Sequence, residues 1–124
     1  SIHKVAEGID TGEIIAQKII SYNWEDNGGT LYKKSEKECI NLFKKTFPKI
    51  LYKKITKTIK NSGGSFHLGK EMFLESEIDL AKSYIAKDLF NLLRARTFKG
   101  KPSCWFFFKK SKYEIRIKID KVRK

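Results

Sequence analysis

The stretch Ile9–Gln17, IDTGEIIAQ, decides how the N-terminal part of the chain folds. Asp-Thr-Gly is typical of a tight turn. The Ile-rich residues after it are typical of a buried strand, and we predict this strand over residues 13–22. Residues 1–5 look like the end of another strand. Asp10 is then either a carboxylate that hydrogen-bonds to its own turn or a reactive group at the start of a strand.

The pattern of apolar residues extends this organisation along the rest of the chain. Pro48 is expected to kink or split the long helix in which it lies, because it lacks an N–H donor. No internal repeat or low-complexity tract interrupts the order of elements. The further predicted elements are a turn at 23–30 with Thr30 as a helix cap, a helix over about 31–55, a flexible linker at 61–71, a helix over 83–96, and a hairpin of strands 103–108 and 112–119.

The composition is strongly basic, with a formal net charge of +13 over 124 residues. Such a balance suits anionic partners, including nucleic acid. Most of the basic residues are lysines, however, whereas phosphate and base recognition usually depends on arginine. We therefore favour a solvated lysine-rich surface. A nucleic-acid-binding helix remains the alternative interpretation.

The sequence also bears on compartment and on metals. No apolar run has the length of about 20 residues that a membrane span needs, and the N-terminus does not look like a signal peptide. Cys39 and Cys104 lack the spacing of metal ligands and are expected to be reduced thiols. We expect a cytoplasmic protein without a metal site.

Four segments together resemble the folate-dependent formyltransferases. Ser1–Gln17, SIHKVAEGIDTGEIIAQ, is similar to that family's signature of a strand ending in His, an acidic loop, Asp-x-Gly and an Ile-rich strand. Asp26–Tyr32, DNGGTLY, looks like the family's turn and helix start. Residues 63–72, GGSFHLGKEM, and residues 91–107, NLLRARTFKGKPSCWFF, resemble the sugar N-formyltransferase branch.

The resemblance implies a fold and a set of site residues. It implies an α/β fold, namely the C-terminal part of a Rossmann-like formyltransferase domain followed by a small α+β lobe that ends in a β-hairpin. Asp10 matches the catalytic aspartate of the family. The cofactor 10-formyltetrahydrofolate would be held by the loop before it, where Gly8 lets the main chain approach the pterin closely. The cofactor-binding residues implied are Ala6, Glu7, Gly8, Ile9 and Asp10.

Other side chains have two open interpretations. His67 either contacts a substrate phosphate or is simply exposed. Trp105 either packs on the second helix or stacks on a nucleotide base. Arg94 and Arg96 either complement a helix dipole, which we favour, or bind a nucleotide diphosphate. His3 is expected to be a strand histidine satisfied by a neighbour.

One part of the family's site is missing from this sequence. The family's Asn-x-His pair lies upstream of the signature, and no Asn-x-His occurs here. We therefore expect the C-terminal half of a formyltransferase, inactive without the N-terminal half of the catalytic domain. The expected division is 1–60 for the end of the catalytic domain, 61–71 for a linker and 72–124 for a helix-hairpin subdomain.

The function expected from the resemblance is formyl transfer from 10-formyltetrahydrofolate to the amine of a nucleotide-linked amino sugar, in glycan or lipopolysaccharide biosynthesis. A homodimer is possible. The alternatives are a fragment of methionyl-tRNA formyltransferase and a non-catalytic basic module that binds nucleic acid. Only about thirty residues follow Arg94, too few for the barrel that a methionyl-tRNA formyltransferase carries there.

Overall fold

The computed structural model describes residues 1–61 and 64–123 and contains helices and two small antiparallel sheets. This mixed architecture confirms the predicted fold class. Ser62 and Gly63 of the predicted linker lie outside the described residues. The elements are β1 (Ile2–His3), β2 (Ile14–Ala16), α1 (Gly28–Leu51), α2 (Gly69–Leu74), α3 (Ala86–Ala95), β3 (Cys104–Phe108) and β4 (Ser111–Ile115).

The chain divides into two compact units. Unit 1 comprises Ser1–Ser21 with Lys33–Ser65, and unit 2 comprises Tyr22–Tyr32 with the residues from Phe66 onward. The predicted division of the chain at a 61–71 linker stays a prediction.

In unit 1, β1 and β2 form an antiparallel pair, and β2 has a second neighbour. Ile2 lies opposite Ala16 and His3 opposite Ile14. On its other side, Ile14 exchanges two backbone hydrogen bonds with Ile59, of 2.8 and 2.9 Å. The strand predicted over 13–22 is confined to Ile14–Ala16, because its partner β1 is only two residues long and a strand extends only as far as its ladder.

Helix α1 begins one turn earlier than the sequence pattern suggested. The Asn27 Oδ1 accepts a hydrogen bond of 3.0 Å from the Thr30 N–H, and the Thr30 Oγ1 accepts one of 2.9 Å from the Asn27 N–H. This reciprocal pair is a capping box, so Asn27 is the cap and Thr30 lies within the first turn. Pro48 does not split the helix, which ends at Leu51.

Unit 2 contains the buried core. Ile78, Leu93 and Cys104 form its centre, and Trp105 is buried beside them. The predicted hairpin is confirmed, since β3 pairs with β4 from Cys104–Ile115 to Phe108–Ser111. Its second strand, predicted over 112–119, ends at Ile115, where the ladder with β3 ends. On its other side, β3 is tied to the chain before α3, since the Trp105 carbonyl accepts a hydrogen bond of 2.8 Å from the Ile78 N–H.

Candidate functional site

Asp10 lies in a turn of unit 1 that fixes its backbone. Its φ of 53° is left-handed, a conformation that Asp tolerates better than most residues. The Asp10 carbonyl accepts a hydrogen bond from the Nδ2 amide of Asn61, and Thr11 Oγ1 donates one of 3.1 Å to the Gly8 carbonyl. The Asp10 side chain is 81% exposed, so the turn holds the main chain while the carboxylate faces outward.

His3 lies beside Asp10. The distance from His3 Nε2 to Asp10 Oδ1 is 3.5 Å, which is ion-pair range and long for a hydrogen bond. The other ring nitrogen, Nδ1, lies 3.0 Å from the Lys4 carbonyl, which only accepts, so Nδ1 carries a proton in this arrangement. His3 thus has neighbours at both nitrogens, in agreement with its expected role as a satisfied strand histidine.

The Thr-Gly-Glu that follows Asp10 holds the turn against β1. A Cβ at Gly12 would lie 1.6 Å from the Lys4 carbonyl oxygen, so only glycine fits there. The next residue, Glu13, accepts a hydrogen bond of 2.6 Å from Lys4 Nζ. This hydrogen bond, the charge of Lys4 and a further hydrogen bond from Thr58 lower the pKa of Glu13.

The loop before Asp10 is exposed to solvent. Residues 6–9 are all exposed. Within the described chain, the Gly8 carbonyl is the one main-chain group of this loop with a hydrogen-bond partner. The remaining N–H and C=O groups are therefore available to a ligand that carries a row of donors and acceptors.

His67 and Trp105 belong to unit 2. His67 Nδ1 lies 3.2 Å from Glu71 Oε2, one helical turn further on, and the His67 side chain is largely exposed. Trp105 is only 8% exposed, and the Lys112 ammonium lies 4.3 Å from its ring centroid. Its Nε1 is buried and has no hydrogen-bond partner within the described residues. The substrate-binding roles of both residues stay predictions.

Unit 2 also contains a cavity that the sequence analysis did not identify. Its volume is about 670 Å³, within the range of small-molecule sites. It is lined by the turn before α1 and by one face of α3. Trp24 was interpreted there as part of a turn and Arg94 as a helix end. The sequence feature that could have indicated this side of the cavity is the spacing of Lys87, Asn91 and Arg94, which places all three on one face of a helix.

Arg94 organises this cavity. Its Nη1 donates a hydrogen bond of 2.8 Å to the Asn23 carbonyl, and its Nε donates one of 3.1 Å to Asn91 Oδ1. Its guanidinium carbon also lies 4.6 Å from the Trp24 ring and 5.8 Å from the Tyr22 ring. The structural role favoured for Arg94 therefore has specific contacts: it connects α3 to the turn.

Neither cysteine forms part of a reactive or metal-binding cluster. Cys39 is exposed, Cys104 is buried, and both are free thiols. Burial raises the pKa of Cys104 more than the nearby charge of Arg96 lowers it, which makes the thiol a poor nucleophile. The residues that the structure describes contain no group of three or more metal-ligand side chains. They also contain no helix that is both long and apolar enough to cross a bilayer.

A family model relates this chain to the N-formyltransferases, and a known protein is similar to most of it. Residues 71–121 match the model of the N-formyltransferase dimerization C-terminal domain. Over 97 residues the chain is 31% identical to the bifunctional polymyxin resistance protein ArnA of Wigglesworthia glossinidia brevipalpis, a match that covers 78% of this chain and 14% of ArnA.

Two solved structures extend the similarity to nearly the whole chain. A 4-N formyltransferase from Francisella tularensis matches 97% of this chain with a TM-score of 0.88 and 29% identity. A sugar N-formyltransferase from a Shewanella species matches 98% with a TM-score of 0.84; at 20% identity this likeness concerns the fold alone. The chain spans about half the length of each of these two structures and a small part of ArnA.

Proposed function

We propose that this chain, which is the C-terminal half of a formyltransferase similar to the sugar N-formyltransferases, completes such an enzyme. Its residues 71–121 belong to the N-formyltransferase dimerization C-terminal domain family. The complete enzyme would transfer a formyl group from 10-formyltetrahydrofolate to the amine of a nucleotide-linked amino sugar. The products would be the N-formylated sugar and tetrahydrofolate.

The fixed turn at Asp10 is the observation that carries this proposal. Its backbone is held by Asn61, and its carboxylate is exposed beside His3. An outward carboxylate on a fixed backbone is suited to orient an imidazole that a second segment supplies. That imidazole would accept the proton that the attacking amine loses. We assign Asp10 this role.

The loop at residues 6–9 has the properties that a pterin ring requires. When bound, 10-formyltetrahydrofolate supplies the formyl carbon that the amine attacks. The exposed loop offers main-chain N–H and C=O groups that lack internal partners within the described residues. We assign Ala6, Glu7, Gly8 and Ile9 to the binding of the ring, and His67 and Trp105 to contacts with the sugar nucleotide.

The name of the matched family supports a proposal about assembly. The C-terminal region, proposed as the subdomain 72–124, would form a homodimer, while residues 1–60 would complete the catalytic domain with an N-terminal half that carries the Asn-x-His pair. We place the enzyme in the cytoplasm, where sugar nucleotides and reduced folates are made.

A reconstitution experiment tests the role of Asp10. The chain is assembled with an N-terminal half carrying Asn-x-His, from its own gene or from the F. tularensis relative, and formylated product is measured by mass spectrometry. Asp10→Asn keeps the size of the side chain and removes its charge, and we expect at least a hundredfold loss of rate. Glu36→Gln, an equal change on exposed α1, is the control. Full activity of Asp10→Asn would show that Asp10 is not catalytic.

A further inference from the structure

The turn that carries Asp10 needs support from outside itself. Asp10 has a left-handed φ of 53°, a conformation that most residues with a side chain avoid. The hydrogen bond inside the turn, from the Thr11 hydroxyl to the Gly8 carbonyl, does not involve Asp10. A backbone conformation of this kind persists only where the surrounding structure holds it. Contacts from other segments must therefore keep Asp10 in place.

Asn61 supplies such a contact. Its Nδ2 amide donates a hydrogen bond to the Asp10 carbonyl, across 51 positions of the sequence. This bond fixes the peptide plane that follows Asp10 and with it the direction in which the carboxylate leaves the backbone. A carboxamide carries N–H donors without being charged, so the bond does not depend on a protonation state.

The backbone pairing of unit 1 explains why Asn61 reaches the turn. Ile59 exchanges two hydrogen bonds with Ile14, of 2.8 and 2.9 Å, and the two segments run antiparallel. In an antiparallel pair, a step forward on one segment corresponds to a step backward on the other. Asn61, two residues after Ile59, is therefore level with Gly12, two residues before Ile14. The register thus brings the amide to the Asp-Thr-Gly turn.

His3 also lies beside Asp10, but its contact is of a different kind. Its Nδ1 carries the proton that faces the Lys4 carbonyl. Its Nε2, 3.5 Å from Asp10 Oδ1, can therefore donate only when the ring is an imidazolium, and the neutral ring presents a lone pair to the carboxylate. Among the described residues, the Asn61 amide is thus the donor that holds Asp10 in both protonation states of His3.

We propose that Asn61 is a positioning residue for formyl transfer. By holding the Asp10 carbonyl, its amide keeps Asp10 in the left-handed conformation in which the carboxylate is exposed to the imidazole that the second segment would supply. The catalytic consequence rests on the proposed function, whereas the hold of Asn61 on the turn is a property of this chain alone.

The test uses the reconstituted enzyme with Asn61→Leu, which roughly keeps the size of the side chain and removes the donor. We expect kcat to fall about tenfold or more, because a small misplacement of a catalytic group is costly, and KM for both substrates to change less than about twofold. In an Asp10→Asn background the same substitution should lower the remaining rate less than about twofold, since Asn61 acts through the carboxylate. Asn41→Leu, the same change on α1, is the control and should leave kcat unchanged.

A second measurement, on the chain alone, separates the turn from the ladder beside it. NMR couplings of the Asp10 amide proton report its φ, and protection of the Ile59 amide from hydrogen exchange reports the pairing with Ile14. We expect Asn61→Leu to lose the left-handed φ while Ile59 stays protected. Loss of that protection would overturn the proposal, because Asn61 would then support the ladder and not the turn.

Three further results would overturn the proposal. They are an unchanged kcat in Asn61→Leu, an equal loss of rate with and without Asp10→Asn, and an unchanged left-handed φ in Asn61→Leu. Full activity of Asp10→Asn would instead refute the proposed function. The φ measurement would then still decide whether Asn61 holds the turn.

Discussion

At the scale of single residues, the Asp-Thr-Gly turn can form only because Gly12 has no Cβ atom. Asp10 adopts a left-handed φ of 53°, and the position of a Cβ at Gly12 is occupied by the Lys4 carbonyl. The sequence indicated a turn at these residues, but periodicity alone left the role of the aspartate open. The close approach of Lys4 to Gly12 depends on the tertiary structure, since the two residues lie on opposite sides of the turn.

Gly12→Ala should disrupt this turn. The added methyl group would require the Lys4 carbonyl to move by more than 1 Å, which would break the 2.9 Å hydrogen bond from the Lys4 N–H to the Glu13 carbonyl. We expect a loss of about 2–4 kcal/mol in the free energy of unfolding, measured with urea. Gly69→Ala is the control, because a Cβ there meets no atom within 4 Å. A loss in Gly12→Ala no larger than in Gly69→Ala would contradict the close approach.

The Lys4–Glu13 pair should make the stability of the β1–β2 segment sensitive to acid. The pKa of Glu13 is lowered in the folded chain, mainly by its hydrogen bond to Lys4. The stabilising effect is therefore present at neutral pH and is lost as the pH falls through the lowered pKa. In Lys4→Gln we expect the Glu13 carboxyl to titrate at a higher pH, as followed by carbon NMR, whereas Lys18→Gln should not change it. Identical titration curves in the wild type and Lys4→Gln would show that the pair does not form in solution.

At the scale of elements, the C-terminal hairpin has a favourable ladder and an unfavourable turn. Its two turn residues, Lys109 and Lys110, have φ values of 46° and 68°. Two successive positive φ values indicate a type I′ turn, which fits the twist of a hairpin but usually contains Asn-Gly. The strands, with Phe106 stacked on Tyr113 at 5.3 Å, thus hold lysines in a conformation that costs about 1 kcal/mol or more for each of them.

Lys110→Gly should stabilise the hairpin. Glycine adopts the required φ without a steric penalty, so we expect a gain of about 0.5–1 kcal/mol in thermal or urea unfolding. Ser111→Gly, at the next position and within β4, is the matched control and should lower stability, because strand residues lose more entropy as glycine. Destabilisation by Lys110→Gly would contradict a left-handed turn at this position.

At the scale of the whole molecule, the two units differ in how much apolar surface they bury. All the buried hydrophobic side chains of the described chain, including Ile78 and Leu93, lie in unit 2. In unit 1 the buried residues are Gly12 and Thr46, while large side chains such as Phe43 remain about half exposed. Burial of apolar surface is the main stabilising term, so unit 2 should be the more stable of the two.

Native-state hydrogen exchange should separate the units. We expect the Ile78 and Trp105 amides, which are hydrogen-bonded around the core of unit 2, to exchange at least a hundredfold more slowly than the Ile14 and Ile59 amides of unit 1. Leu93→Ala, a core truncation that costs about 2–5 kcal/mol, should abolish the difference. Phe90→Ala, an exposed position on the same helix, should preserve it. Equal protection of the two pairs in the wild type would contradict a core confined to unit 2.

The sequence by itself determined helices α1 and α3, the C-terminal hairpin and the family, because these depend on periodicity, turn residues and short motifs that are local in the chain. It missed the short helix α2 (Gly69–Leu74), whose first residues fall in the segment predicted as a flexible linker. It placed the start of α1 at the wrong residue, since Asn27 and Thr30 are both good capping residues and only their mutual hydrogen bonds distinguish the cap from the first turn. It also gave β2 too great a length, because the end of a strand depends on the length of its partner.

Only the tertiary structure decided how residues distant in the sequence combine. It brought Arg94 to Asn23 and Trp24, some 70 positions earlier, and so formed a cavity whose two walls come from segments distant in the sequence. It buried Trp105, for which the sequence had left packing on a helix and stacking on a base both open, and it left the Asp10 side chain exposed. The physical cause is common to these cases: burial and ligand geometry are properties of contacts between segments, and the sequence within one segment does not specify them.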